Sequence, residues 1–193
     1  GNPATLTWDS LAIPVGWRLG ITQQSIRGVG IDMAEESSLI METAGIYTFH
    51  ITAYREDAYE TFTYHLNAGW NMICATLELT AEAEAYLLEQ GLMSLDALGG
   101  CYTPATDVIP GKGYWLFSAT ELTLQVMGRP VLDFALDIQP GWNFVGLIHD
   151  VALPNAGLIV WEWTPEGYRT PEVMDDKFLL LAGKGYWVYW VGN

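Results

Sequence analysis

Two short motifs occur twice in this chain, and the same distance separates both pairs. A Gly-Trp-Asn triplet begins at Gly69 and again at Gly141, and a Gly-Lys-Gly-Tyr-Trp block begins at Gly111 and again at Gly183. The step from 69 to 141 equals the step from 111 to 183. Because the offsets agree, the motifs keep their spacing within each copy, as duplication of one folding unit would leave them. The sequence predicts repeat units at 59–130 and 131–193.

Alternating apolar residues flank these motifs and indicate β-strands. Residues 61–66 alternate ahead of the first triplet, and residues 132–138 do so ahead of the second. This period of two is typical of a strand with one buried face. A third alternation, at 122–126, is followed by Gly128-Arg129-Pro130, which we expect to form a turn that ends the strand.

The two copies differ most between their motifs. Residues 80–98 of the first copy are rich in Ala, Glu and Leu, and Thr80 is a candidate N-cap, so we expect one or two short helices broken near Gly91. In the second copy, residues 158–168 predict a hairpin around the turn at 164–167. The expected fold is mainly β: tandem duplicated β units, sandwich- or barrel-like, with a short helical insertion at about 80–98.

Residues 1–58 form a third segment with two possible interpretations. Gly16-Trp17 and the stretch from Gly45 to Phe49 echo the two motifs, but Trp17 and Tyr47 lie closer together in sequence than Trp70 and Trp115 do. One interpretation is a degenerate third repeat that lacks its middle. The other is an immunoglobulin-like β module, which at this length would be truncated.

We expect the repeated motifs to build the scaffold. Paired glycines permit a positive φ in tight turns, and the strand after each pair is apolar on both faces, which favours a central position. The tryptophans are expected in the core, and the two Asn side chains are expected to bond local backbone groups. The structural signature comprises Gly69, Trp70, Asn71, Gly111, Gly113, Tyr114, Trp115, Gly141, Trp142, Asn143, Gly183, Gly185, Tyr186 and Trp187.

The net charge and the hydropathy of the chain argue against nucleic acid and a lipid bilayer as partners. The chain has 23 acidic and 8 basic residues, a formal net charge of −15, so most of its surface would repel nucleic acid. The most apolar stretch, 178–192, contains Lys184 and several glycines and is too short to span a bilayer, so we expect no membrane insertion. Lys112 and Lys184 are followed by Gly-Tyr-Trp rather than by Ser or Thr and a helix, which excludes a phosphate loop.

No catalytic motif is evident, and we expect a non-catalytic protein with no cofactor and no metal. The three histidines, His50, His65 and His149, lack metal-ligand spacing, and there is no nucleophile elbow. Two cysteines, Cys74 and Cys101, lie in the first copy. They form a possible disulfide, and the alternative is a pair of buried free thiols.

The order of a hydrophobic strand, Gly-Trp-Asn, a variable middle and Pro-Gly-Lys-Gly-Tyr-Trp resembles repeat modules of large secreted or surface-attached bacterial proteins. The likeness covers residues 59–193, although Ala182 stands where the first copy has Pro110. The resemblance implies a secreted or cell-surface protein, with a signal peptide removed before Gly1, and an accessory role. The implied partners are other proteins or domains of a larger surface assembly, or glycan.

The main functional expectation is therefore an extracellular or cell-surface structural or interaction module. The alternative is a carbohydrate-binding module that uses exposed aromatic residues of the 158–168 hairpin. Trp161, Trp163 and Tyr168 are the candidate binding residues, since sugars stack on exposed aromatic rings and this hairpin differs between the copies. The competing interpretation is that Trp161 and Trp163, which share one strand face, both pack inward.

Overall fold

The structure is a computed structural model, and it describes residues 3–23, 30–41, 47, 49–96, 100–132, 134, 136 and 138–192. The chain divides into two compact units: a smaller one of residues 1–58 and 132–137, and a larger one of residues 59–131 and 138–193. Strands dominate both units, and the predicted mainly β fold with a short helix is confirmed.

The smaller unit contains two sheets among its described residues. Strands β1 and β4 form one sheet, and strands β3, β2 and β5 form the other in that order. The strands are β1 (Ala4–Thr7), β2 (Trp17–Gln23), β3 (Gly30–Asp32), β4 (Ser38–Met41) and β5 (Phe49–Arg55). A buried carboxylate, Asp32, pairs with the guanidinium of Arg18 on β2 and raises the pKa of that guanidinium.

The larger unit holds both copies. Its first-copy elements are β6 (Glu60–Leu66), β7 (Gly69–Ile73), β8 (Leu77–Leu79), α1 (Ala81–Glu89), β9 (Met93–Leu95), β10 (Tyr102–Pro104), β11 (Tyr114–Ser118) and β12 (Leu122–Pro130). Its second-copy elements are β13 (Gly141–Gly146), β14 (Val151–Pro154), β15 (Leu158–Thr164), β16 (Gly167–Arg169), β17 (Val173–Met174), β18 (Lys177–Leu180) and β19 (Gly185–Trp190).

The same four-stranded sheet occurs in each copy. In the first copy the order is β10-β9-β11-β7, and in the second it is β16-β15-β19-β13. The register also agrees, since Gly69 lies opposite Ser118, and their counterparts Gly141 and Trp190 lie opposite each other. The segments between the two motifs therefore differ in sequence between the copies, yet their hairpins, β9-β10 and β15-β16, occupy equivalent places in the two sheets.

The two copies are joined by reciprocal backbone contacts. The Cys74 N–H donates to the Gly183 carbonyl at 2.9 Å, and the N–H of its counterpart Gly146 donates to the Gly111 carbonyl at 2.8 Å. Isolated bridges repeat the exchange, from Ile73 to Lys184 and from Val145 to Lys112. Two units that are related by a two-fold axis make reciprocal contacts of this kind. The copies are therefore related by an internal pseudo-two-fold axis, and their Gly-Lys-Gly segments meet at this axis.

The signature asparagines bond the backbone in the same way in both copies. The Asn71 amide donates to the carbonyls of Asn67 and Gly69, at 2.9 and 3.1 Å, and its oxygen accepts from the Asn67 N–H at 2.9 Å. Asn143 repeats this with Gln139 and Gly141. Gly69 and Gly141 have φ values of 99° and 100°, so the predicted turn chemistry is observed.

Among the described residues of the helical insertion there is one helix, α1. The Thr80 hydroxyl accepts from the Ala83 N–H at 3.2 Å and caps α1, and Leu87 is fully buried against the core of the first copy. Gly91, with a φ of 79°, follows the helix C-terminus. The chain then forms β9, which pairs with β11, because sheet pairing outweighs the helical propensity of this stretch.

Two strand predictions are wrong. Gly128 does not turn the chain, because β12 continues through it and pairs with β8, and a Cβ there would collide with the backbone of Glu78. The segment 132–138 has no strand among its described residues. Residues 132–137 belong to the smaller unit instead, where the Leu132 carbonyl packs so closely on Gly20 that only glycine fits.

The register of the smaller unit differs from that of the copies. Trp17 lies opposite Arg55, and Phe49 lies opposite Gln23. In the first copy, by contrast, Trp70 of the Gly-Trp-Asn triplet lies opposite Phe117, which follows Trp115 by two residues. The second copy has the same pairing between Trp142 and Tyr189. A degenerate third repeat and an immunoglobulin-like module both stay predictions for this segment.

Candidate functional site

The four signature tryptophans do not share a core position. Trp115 is buried and Trp187 is half-buried, but Trp70 and Trp142 are 47% and 54% exposed, so their predicted core role is wrong. The reason is strand alternation: Tyr114 faces the core of the first copy, so its neighbour Trp115 faces the opposite, outer side of the sheet.

Aromatic rings cover this outer side equivalently in both copies. The Trp70 ring meets Trp115 at 6.2 Å and 87°, and the Trp142 ring meets Trp187 at the same distance and angle. Phe117 and Tyr189 extend the two clusters, at 5.4 Å from Trp70 and 5.2 Å from Trp142. Edge-to-face contacts of this kind stabilise ring clusters by about 0.5–1.5 kcal/mol per pair beyond area burial, which explains why these rings tolerate solvent.

The second copy contains an open groove on this side. The groove has a volume of about 640 Å³ and is lined by Leu95, Trp142, Trp161, Tyr168 and Trp187. None of these side chains carries a charge at neutral pH. Four of the five are aromatic, and two of them, Trp142 and Tyr168, are half exposed to solvent. The groove therefore offers indole and phenol faces to a ligand that approaches from solvent.

Tyr168 brings a hydroxyl group to the lining of the groove. Partial burial, followed by the proximity of Tyr102, raises the pKa of this hydroxyl. The hydroxyl therefore keeps its proton at physiological pH and can donate it to a ligand oxygen.

The structure places two of the three predicted binding residues in the groove and the third in contact with one of them. Trp161 and Tyr168 line the groove, and the Trp163 ring meets the Tyr168 ring at 4.9 Å and 76°. Trp163 itself lines a second cleft, of about 380 Å³, that also contains Trp70. Both hairpin tryptophans are half-buried on the outer side, because the alternate residues Val160 and Glu162 are the buried ones. The interpretation that both pack inward is therefore wrong. Sequence reasoning missed Leu95 and assigned Trp142 and Trp187 to the core.

A buried carboxylate anchors the hairpin that carries these rings. Glu162 on β15 accepts a hydrogen bond from Arg169 Nε at 2.7 Å, and its other oxygen lies 3.6 Å from Lys184 Nζ. The glutamate side chain is 9% exposed, so its charge is satisfied by these two cations rather than by water. Lys184, the lysine of the second Gly-Lys-Gly block, thus helps to hold the hairpin in place through Glu162. The positive charge of Lys184 therefore has a partner within the chain and does not require a phosphate ligand.

Two kinds of feature are absent from the part of the chain that the structure describes. Within the described ranges, no group of three or more His, Cys, Asp or Glu side chains is arranged to hold a metal ion. Among the same residues, no helix has the length and apolar character needed to cross a bilayer.

The possible disulfide is not formed. Cys74 is fully buried, and its Sγ lies where a side chain at Gly146 would otherwise project, whereas Cys101 is exposed and its Sγ lies 3.2 Å from Asp96 Oδ2. Burial raises the pKa of the Cys74 thiol to about 12. The alternative of two buried thiols is also wrong, because only one of the pair is buried.

One thiol should therefore react and one should not. We expect a disulfide reagent such as Ellman's reagent to titrate a single cysteine of the native protein at pH 8, and a second only in denaturant, since the thiolate is the nucleophile. The Asp96 carboxylate raises the pKa of Cys101, so Asp96→Asn should speed its reaction. Cys101→Ala is the control and should leave no rapidly reacting thiol. Two equally fast thiols in the native wild type would contradict the assignment.

Comparison of the chain with protein-family models, with curated proteins and with solved structures finds no match in any of the three. The function of the groove therefore has to follow from its own geometry and chemistry.

Proposed function

We propose that the larger unit is a non-catalytic carbohydrate-binding module and that the groove lined by Leu95, Trp142, Trp161, Tyr168 and Trp187 holds part of a neutral sugar chain. The observation that supports this is the groove itself: an open, uncharged cavity with four aromatic walls on a rigid sheet. A secreted or cell-surface setting belongs to the same proposal, because it rests on the resemblance of the repeated motifs.

The chemistry of the groove suits a pyranose ring. One face of such a ring presents C–H groups, which pack on an indole face, while its hydroxyl groups point outward and stay hydrated. Trp142 and Trp187 supply indole surface, and the Tyr168 hydroxyl supplies one donor. Sites for small ligands commonly combine such an apolar lining with a few placed polar groups.

Charge favours a neutral sugar over an acidic one. The groove lining carries no charge, and the formal net charge of the chain is −15. A uronic acid or sulfated chain would meet repulsion without a cation in the groove to offset it. We therefore expect selection for neutral glycans, with little dependence of affinity on salt concentration.

A second candidate is a purely structural display module in a larger surface assembly. It is favoured by the ring contacts themselves, since Trp163 and Trp115 lie 5.3 Å apart and satisfy part of the aromatic surface within the chain. Under this candidate the groove stays empty or is covered by a neighbouring protein domain.

The test is a glycan array followed by calorimetry. We expect wild type to bind at least one neutral glycan and Trp142→Ala to lose roughly 5- to 150-fold in affinity, by analogy with the 1–3 kcal/mol of a base stacked on an aromatic ring. Trp70→Ala is the matched control: it removes the counterpart ring of the first copy, at similar exposure but outside the groove.

The control should bind like wild type. Equal losses in Trp142→Ala and Trp70→Ala would place binding outside the groove. Absence of any glycan signal with folded wild type would reject carbohydrate binding and favour the display module.

A further inference from the structure

The pseudo-two-fold axis assigns each residue of one hairpin a counterpart in the other. Met93 lies opposite Trp115, and Trp161 lies opposite Trp187, the equivalent of Trp115. Met93 and Trp161 are therefore counterparts. Two residues further along the same strand face are Leu95 in the first copy and Trp163 in the second.

The opposing strands support this correspondence. Leu95 pairs with Tyr102, and Trp163 pairs with Tyr168. Both tyrosines lie on the short outer strand of their hairpin, β10 or β16. The two copies therefore place a leucine and a tryptophan at one structurally equivalent position.

The leucine and the tryptophan have unequal effects across the joint between the copies. The indole of Trp163 reaches the first copy and meets Trp115 at 5.3 Å and 78°, and Trp115 is only 8% exposed. On the other side of the axis, Leu95 lines the groove together with Trp187, which stacks on Phe144 at 5.1 Å and 21° and is half-buried. A leucine lacks the ring that would cover the rest of this second tryptophan.

We infer that Leu95 is the specificity-determining residue of the groove: it leaves vacant, over Trp187, the space that Trp163 fills over Trp115. The inference rests on the proposed carbohydrate function for the identity of the ligand. Residues of both copies then line the groove. The space over Trp187 is open because the two hairpins differ in sequence at this position.

The ring that covers Trp115 indicates what kind of ligand would fit in the space over Trp187. Over Trp115, the ring that Trp163 contributes is one planar ring system, whose plane is inclined at 78° to the indole of Trp115. A single pyranose residue of a neutral chain has comparable thickness and presents C–H groups. We therefore assign the space over Trp187 to one sugar ring of the bound chain, with the neighbouring sugars extending past the exposed Trp142.

Reciprocal substitutions test the inference. Leu95→Trp should fill the space and weaken binding at least tenfold in calorimetric titrations with cellohexaose, chitohexaose, xylohexaose, mannohexaose and maltohexaose. Leu95→Phe is a second variant with a smaller ring, should the tryptophan prevent folding. Trp163→Leu should vacate the space over Trp115 and raise the binding stoichiometry from one to two sites.

A readout without sugar separates the two proposals. In protein labelled with 5-fluorotryptophan, the ¹⁹F solvent isotope shift between H₂O and D₂O should fall for Trp187 in Leu95→Phe and rise for Trp115 in Trp163→Leu. Substitutions of Trp187 and Trp115 by Phe assign the two resonances. These changes would be expected whether or not a sugar binds.

Each result then decides one proposal. Unchanged isotope shifts, or undiminished hexasaccharide affinity in a folded Leu95→Trp variant, would overturn the role of Leu95. Expected isotope shifts with no binding of any hexasaccharide would uphold the vacant space and reject the carbohydrate function. Binding of a proline-rich decapeptide in place of the hexasaccharides would reject a sugar as the occupant.

Discussion

Substitution of Gly146 by alanine is expected to destabilise the chain by about 3 kcal/mol, measured as the free energy of unfolding in urea at pH 7. A Cβ at this position would collide with the Cβ and Sγ of Cys74 and would lie 2.8 Å from the Lys112 carbonyl oxygen. Both neighbours are held by the backbone bonds that join the copies, so neither can move without breaking the joint.

The cause lies in the pseudo-two-fold axis. Cys74 and Gly146 are counterparts, and each contacts the other where the two copies meet. Equivalent residues that meet at such an axis compete for the same space, so only one of them can carry a side chain. The chain resolves this with a cysteine in one copy and a glycine in the other.

Exchanging the two residues is the matching control. The double variant Cys74→Gly with Gly146→Cys keeps one side chain at the axis and should recover more than half of the stability that Gly146→Ala loses. Cys74→Ala alone removes a buried sulfur without adding an atom at 146 and should cost less than Gly146→Ala. An exchange variant that is no more stable than Gly146→Ala would contradict competition for one space.

The sequence predicts the repeated scaffold better than it predicts the surface. The equal offsets of the two motifs agree with the equal registers at Gly69 and Gly141, where each Gly-Trp-Asn strand pairs with the strand of its own Tyr-Trp block. Thr80 correctly indicates the helix start, since capping is a local interaction. Such features depend on residues close in sequence or fixed in spacing.

Exposure could not be predicted in the same way. Alternation shows that Trp115 and Tyr114 face opposite sides of a strand, but it does not show which side is covered by other elements. Trp70 and Trp142 were therefore expected in the core. The turn expected at Gly128 failed for a related reason: glycine serves there to admit the Glu78 backbone, a contact that joins distant parts of the chain.

The groove was the least predictable feature. Its lining combines Leu95 of the first copy with Trp161 of the second, and these residues meet only through the joint between the copies. Two of its lining residues, Trp161 and Tyr168, are residues that the sequence predicts as binding residues, and their binding of a ligand stays a prediction. Nothing in the sequence indicates the role of Leu95. That Leu95 and Trp163 are counterparts becomes known only from the strand pairing in the structure.

Alkaline unfolding between pH 10 and 12 is the second large effect that we expect. The fully buried Tyr114 and Tyr186 hydroxyls accept hydrogen bonds at 2.8 Å from the N–H groups of Ile109 and Leu181, and the buried Tyr64 hydroxyl donates to the Cys74 carbonyl at 2.8 Å. Burial raises the pKa of all three phenols above the ordinary value near 10, that of Tyr114 to about 12.

The direction of the pH dependence follows from proton counts. Above pH 10 the unfolded chain releases these phenol protons while the folded chain retains them, so the folded state binds more protons and its stability falls as the pH rises. Below pH 10 both states are protonated and the stabilisation is complete. For Tyr114 alone, a pKa raised from about 10 to about 12 corresponds to roughly 2.3 kcal/mol lost by pH 12.

Three such groups together can remove much of the 5–15 kcal/mol by which a typical domain is stable. Because the unfolded chain also releases the proton of the buried Cys74 thiol, whose pKa burial raises, we expect the urea midpoint to be constant from pH 7 to 8 and to fall gradually above about pH 8. Above pH 10 the midpoint should fall steeply. The double variant Tyr114→Phe and Tyr186→Phe should be less stable at pH 7, because two buried N–H groups lose their acceptor, but its decline above pH 10 should be shallower. Tyr59→Phe, at a half-exposed position, is the control and should decline like wild type. Parallel declines for wild type and the double variant would show that the buried phenols are not responsible.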